Sequence, residues 1–250
     1  MTSPTRTFSA FWRTEATLFL REPFAVGFTI VLPLGLLLVF GAAFGSQDAG
    51  NGFTVADIQV PSLIAIVLTY VAFGGVPIVF AEYRELGVFR AYRVTPVRMP
   101  VFVAAHVVVH LLMCAFASLL AALVTWLVFG LHFGGHPALF AAVAIGSAAV
   151  LFAAGYLVAA LPLGARTAQS LGSSVYFLFI FTSGATLPRA RFPAWLQSVT
   201  DWLPMTVVVD TLHGAWTGSL GVVRGLVTAG ALLLLGAAAA AVAARNFKAG

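Results

Sequence analysis

His106 and His110 stand four residues apart in an apolar stretch. On a helix that spacing turns both imidazoles to one side, as in metal-binding pairs. No HExxH carboxylate accompanies them and no third ligand is near in the sequence, so packed or interhelically hydrogen-bonded histidines are the expectation and no metal is assigned. His132 and His136 repeat the spacing, but Gly134, Gly135 and Pro137 make that stretch a turn. Ser183 with His213 as base would form a hydrolase pair, yet a GxSG nucleophile turn needs glycine where Phe181 stands. No catalytic residue is therefore assigned. ATP has no P-loop here either: GxxxxGK[ST] requires a lysine, and the only one is Lys248, two residues from the end. Asp201 and Asp210 are too few and too near the surface for a proton relay. Cys114 is alone, which excludes an intrachain disulfide and a Cys-based metal site.

The remaining chemistry is charge. AEYRELGVFRAYRVTPVRMP, residues 81–100, holds Glu82, Arg84, Glu85, Arg90, Arg93 and Arg98 in a chain with only 8% charged residues. Arg90 and Arg93 fall on neighbouring parts of one helical face, and Phe89 lies next to Arg93 by the i, i+4 rule. One apolar knob flanked by two cations suits a partner groove with acidic walls. The alternative is that these arginines only hold the loop on one side of a membrane.

The elements that would position this loop follow from composition. With 61% hydrophobic residues, 22 Phe and a mean hydropathy of +1.02, the chain reads as an integral membrane protein. Its pI near 10.0 does not point to nucleic acid, because the 13 basic residues are thinly spread. Apolar segments at 24–45, 60–81, 100–129, 138–162, 171–187 and 222–244 read as six spans of about 20 residues, which leaves no room for a separate soluble domain. An even count places both termini on one side. With the termini inside, ten of the 13 basic residues are cytoplasmic and Arg189, Arg191 and Arg224 are outside. Residues 82–99 then form a cytoplasmic loop.

Of the external connections, 46–59 and 130–137 are Gly-rich turns. Residues 188–221 form a longer segment with Trp195, Trp202 and Trp216, expected to lie on or dip into the outer leaflet as short helices broken at Pro193 and Pro204. Residues 8–22 form an amphipathic helix with Phe8, Phe11, Trp12, Ala16 and Phe19 on one face. Glu15 falls within that face and Glu22 one heptad later. Either the loop arginines meet them, or the helix frays and water does. Gly41 and Gly45 make a GxxxG, readable as a subunit contact or as internal packing. Gly74, Gly75 and Pro77 weaken the second span, predicting a kink or a moving segment. Phe73, Tyr176, Phe177 and Phe181 are candidates to line a path for apolar molecules, lipid-facing aromatics being the alternative.

Two stretches carry a resemblance. Residues 82–96, from Glu82-Tyr-Arg84-Glu85 through Gly87 and Arg90 to Thr95-Pro96, resemble the cytoplasmic loop of type-2 ABC exporter permeases. Ser183-Gly184, Pro188, Pro193-Ala-Trp195-Leu196-Gln197, Pro204-Met-Thr206 and Asp210 are similar to that family's segment between its last two spans. The resemblance implies one all-α transmembrane domain over 1–250: six spans, an N-terminal connecting helix (8–22), a cytoplasmic coupling helix (82–99) and an external re-entrant segment (188–221). It implies that Glu82, Arg84, Glu85, Phe89, Arg90 and Arg93 couple to a separate ATPase, with Glu15 and Glu22 on the connecting helix. Pro193, Trp195, Pro204 and Asp210 would belong to an external gate. The implied partners are two ATPase copies carrying ATP and Mg, a second permease copy or paralogue, and lipid, in a bacterial plasma membrane. A path lined by Phe favours a hydrophobic or amphipathic cargo over a polyanion. The alternative reading is an ATP-independent channel or an intramembrane enzyme.

Overall fold

A proline has no N–H to donate, so the carbonyl four residues before it loses its α-helical partner. At Pro33 and Pro77 the chain answers with a π turn. The computed structural model describes residues 13, 14, 16, 17, 20, 21, 23–88, 99–186, 189 and 192–249. The first long helix, α1 (23–44), contains a π turn at Gly27–Val31, where Leu32 N–H donates to Gly27 O. The second, α2 (Val55–Glu85), contains one at Tyr70–Gly75, where Val76 N–H donates to Val71 O. Each π bond ends on the residue just before a proline. The two turns lie side by side, with Phe28 stacked on Tyr70 at 5.2 Å. The kink expected at Gly74, Gly75 and Pro77 is thus a π turn.

A hairpin precedes α2. Strands β1 (Asp48–Gly50) and β2 (Phe53–Thr54) pair antiparallel across Asn51 and Gly52, both at positive φ as a tight two-residue turn requires. Thr54 then caps α2. Asp57 Oδ2 accepts from Thr54 N and Oγ1 at 2.8 Å each, while Thr54 Oγ1 accepts from Asp57 N, a reciprocal box that satisfies orphan donors. Asp57 Oδ1 also accepts His132 N–H at 2.6 Å, which fastens the 130–136 connection to the start of α2.

Beyond these lie α3 (Met99–Phe129), α4 (Pro137–Ala159), α5 (Ala165–Thr182), α6 (Ala194–Thr200), α7 (Pro204–Thr217) and α8 (Val222–Ala249). α2 is the hub, packed against α1, α3, α4, α5 and α7. Two glycines let its neighbours come close: Gly155 of α4 is seated on Ala72 O and Gly172 of α5 on Phe73 O, where any Cβ would overlap the carbonyl. α8 runs along α4, with Gly236 against Ala149 and Gly146 against Ala229.

Among the described residues five helices are long and apolar enough to cross a membrane: Gly27–Phe44, Val55–Glu85, Ala105–Phe129, Pro137–Ala159 and Val222–Ala239. The protein is therefore all-α and mostly membrane-spanning, apart from the small hairpin. The expected fifth span corresponds to α5, which has 18 residues but begins earlier than its apolar run, with Arg166, Gln169 and Ser170 in its opening turns. Polar residues there lower its apolarity below that of the other five.

Helices α6 and α7, 7 and 14 residues long, are too short to cross a hydrocarbon core of about 30 Å. α7 runs antiparallel to the first half of α2. Thr69 Oγ1 meets Met205 Sδ at 2.8 Å, which sets the start of α7 level with the middle of α2. Its end, at Trp216 O, accepts Gly134 N–H beside the hairpin. Trp216 is buried against Phe133 and Phe140, so it is a core residue, while Trp195 and Trp202 are exposed as an interfacial reading requires. The described residues of 13–21 are helical, and Thr17 Oγ1 donates to Arg13 O at 2.7 Å. Glu15 and Glu22 lie outside the described residues.

Candidate functional site

Charge gathers at two opposite ends of the bundle, and the helices around α2 place it there. At the end where α2 stops, Arg84 donates from Nη1 to Leu161 O at 2.7 Å and from Nη2 to Ala159 O at 2.8 Å. Ala159 O is one of the last acceptors of α4, which have no helical partner of their own, and Leu161 O, just past the helix, also accepts Leu163 N–H; a cation here meets the negative end of the dipole. Next to it, Glu85 Oε1 accepts Ala165 N–H at 2.8 Å, an anion at the first turn of α5. Adjacent residues of α2 thus hold both ends of the 160–164 connection. Glu82 sits one turn earlier on α2. Phe89, Arg90 and Arg93 lie outside the described residues.

The aromatic candidates divide into two settings. Phe73 and Tyr176 are buried in the seam between α2 and α5, where Tyr70 meets Tyr176 at 5.4 Å and Phe73 meets Phe179 at 5.3 Å. Phe177 and Phe181 are half exposed and stack on each other at 6.5 Å on the outer face of α5. The seam and the outer stripe are joined by Tyr176, 5.3 Å from Phe177.

At the hairpin end, Arg189 is shared by two carboxylates. Nη1 donates to Asp210 Oδ2 at 2.7 Å and Nη2 to Asp201 Oδ1, so one cation ties the segment after α5 to α6 and α7. Pro193 precedes α6 as its N-cap and Pro204 opens α7 at a position where its missing N–H costs nothing. A cavity of about 650 Å³ opens beside this cluster, between α1, the first half of α2, residues 184–186 and α7. Ser62 Oγ and His213 Nε2 are hydrogen-bonded at 2.7 Å in its wall, and Gln59 and Asp210 also line it.

The sequence named Asp210 and His213 but not their setting. His213 pairs with Ser62, and Ser183 Oγ accepts Ala185 N–H at 3.3 Å, so Ser183 and His213 make no hydrolase pair. Ser62 and Gln59 lie in or beside an apolar run and carry no local signal; the Ser62–His213 bond spans 151 residues of chain. Arg189 was legible only as a charge. His106 and His110 are buried on α3, with rings stacked at 4.1 Å. His106 Nδ1 is hydrogen-bonded to the Tyr156 hydroxyl of α4 at 2.9 Å, an interhelical bond, while His110 Nδ1 donates to His106 O at 2.8 Å within α3. Among the described residues no group of three or more His, Cys, Asp or Glu is placed to hold a metal ion.

The arrangement offers fixed hydrogen bonds at both ends, an aromatic seam between them and an apolar exterior. The family model described as ABC-2 type transporter matches residues 6–215. No curated protein matches the chain. The match takes in the charged loop, the α2 hub and the Arg189 cluster together. The chain belongs to the ABC-2 type transporter membrane family and is a transmembrane permease component of an ABC transport system.

Proposed function

We propose that the chain is the membrane half of an ATP-driven exporter, moving a hydrophobic or amphipathic substrate out of the cytoplasm or inner leaflet by alternating access. ATP and Mg belong to a separate ATPase subunit, present in two copies, and the permease pairs with a second copy or a paralogue. The observation that carries the reading is the family match over residues 6–215 in a chain whose single lysine, Lys248, rules out a P-loop of its own.

In this reading α5 completes six spans, both termini and the Arg84 end are cytoplasmic, and the hairpin end faces out of a plasma membrane. α6 and α7 are the re-entrant pair, and the first residues form the connecting helix. The 82–99 loop is the coupling element. Arg84 and Glu85 support this role, because a displacement of the loop reaches α4 and α5 through hydrogen bonds to the 160–164 connection. The π turn of α2 and its glycine contacts supply a defined place for the two halves of the helix to change angle. Phe177 and Phe181 offer a stripe for the pathway where two permeases meet.

The test is co-purification. The tagged chain, co-expressed with any Walker A ATPase found encoded beside it, is expected to retain that ATPase at one copy per permease. Retention of no ATPase, with substrate flux that persists without ATP, would favour the channel reading instead.

A further inference from the structure

We infer that the cavity between α1, the first half of α2 and α7 binds a lipophilic cation, its charge held at Asp210 and its apolar body along Phe40, Leu63 and Ile66. This rests on the exporter reading for calling the occupant cargo; the binding itself does not.

The cavity has two unlike walls. On the α1 side Leu36, Phe40 and Phe44 are apolar, and the Phe40 and Phe44 rings stack at 6.3 Å. On the α7 side Asp210 and His213, three apart, face inward. At about 650 Å³ it lies in the range that encloses a drug-sized molecule.

Three observations set the sign of the ligand. Arg189 is the one described cation in the lining; Nη1 and Nη2 are taken by Asp210 and Asp201 and only Nε lacks a partner, and one positive charge against two negative leaves the cluster with one net negative charge. Asp210 Oδ1 is outside that pairing. Gln59 Oε1 is buried in the wall and takes no hydrogen bond among the described residues, an acceptor dipole whose desolvation an apolar occupant would leave uncompensated. Ser62 Oγ is taken up by Ile58 O and by His213 Nε2. An anion would meet a carboxylate and a carbonyl oxygen; a neutral hydrocarbon would strand both. A cation is attracted by both, and the aromatic wall adds to that attraction.

The experiment uses the full chain in lipid nanodiscs, with no ATPase and no ATP, and measures tetraphenylphosphonium binding above empty nanodiscs. Tetraphenylborate, of matching shape and opposite charge, is measured in separate samples, because the two ions pair when mixed. Saturable binding of the cation is expected, and none of tetraphenylborate. Asp210→Asn should weaken binding tenfold or more. Gln59→Leu, which leaves every Arg189 pairing in place, should weaken it severalfold, so the test does not depend on Asp210→Asn folding. Absence of saturable binding, as when a second permease copy fills the cavity, overturns the proposal. So does saturable binding of tetraphenylborate at an affinity like that of the cation, or unchanged affinity in Gln59→Leu together with a folded Asp210→Asn. Cation binding without ATP-driven transport would instead count against the exporter reading and leave this site standing. Transport of other cargo without cation binding would do the reverse.

Discussion

Gly172 of α5 is seated directly on the carbonyl oxygen of Phe73, the same carbonyl that Pro77 deprives of its α-helical partner. A backbone acceptor freed inside a membrane is costly, and close approach of a glycine Cα covers it with a weak C–H donor. Gly155 makes the same approach to Ala72 O from α4. The π turn is therefore gripped from two sides.

Gly172→Ala and Gly155→Ala must push a methyl group into a carbonyl, and each should cost about 1 to 3 kcal/mol as overpacking. Gly75→Ala is the control, since a Cβ there meets nothing within 4 Å. Thermal unfolding of the purified chain reads the difference: lower midpoints for the first two, none for the third. Equal midpoints for all three would mean the helices separate at no cost and the grip is not a stabilising contact.

The Arg84 and Glu85 caps predict a second pattern. Losing the guanidinium leaves Ala159 O at the close of α4 without its donor and Leu161 O with Leu163 N–H alone, so Arg84→Ala should destabilise by about 1 to 2 kcal/mol, charge-assisted bonds being discounted for partial exposure. Arg84→Lys should recover only part of this, because a single ammonium cannot match a fork aimed at two separate acceptors. In the assembled transporter, Arg84→Ala together with Glu85→Ala should lower substrate moved per ATP hydrolysed. A full recovery by lysine, with an unaltered transport ratio, would reduce the pair to a solvated charge.

Orientation gives a third. In a Cys114→Ala background, cysteines at Asp48 and Ser219, both exposed at the hairpin end, should react with an impermeant reagent applied to intact cells. A cysteine at Leu161, exposed at the Arg84 end, should react only after lysis. The opposite labelling inverts the topology and removes the coupling role of the 82–99 loop.

Much of the fold was legible because the hydrocarbon solvent imposes long apolar runs, and these mark α1, α3 and α4 within three residues and locate α2 and α8. The start of α2 was missed by five residues, since Asp57 looks like an end to the apolar run when it is in fact a cap acceptor within the helix. The start of α5 was missed for a similar reason: Arg166, Gln169 and Ser170 are helical yet polar. Pro77 with two preceding glycines announced a disturbance in α2, while Pro33 gave no comparable warning in α1. The long-range side-chain contacts were the least legible. Arg84 with Leu161 and Ser62 with His213 join residues 77 and 151 positions apart, and no local pattern encodes which carbonyl or hydroxyl a side chain will meet after folding.

The central claim is that a separate ATPase drives this permease through the 82–99 loop, and one reconstitution tests it most directly. Proteoliposomes carrying the permease and its ATPase would be assayed for ATP-dependent movement of a lipophilic dye, with the unaltered chain, the single change Phe89→Ala, and the double change Arg90→Ala with Arg93→Ala. The account predicts ATP-dependent movement by the unaltered chain. Both variants should reach the membrane in normal amount but lose ATPase association or most of the transport rate, with Arg90→Lys intermediate. Export by both variants at the unaltered rate would contradict the assignment of the loop as the point of transmission, and movement by the unaltered chain that ignores ATP would contradict the claim itself.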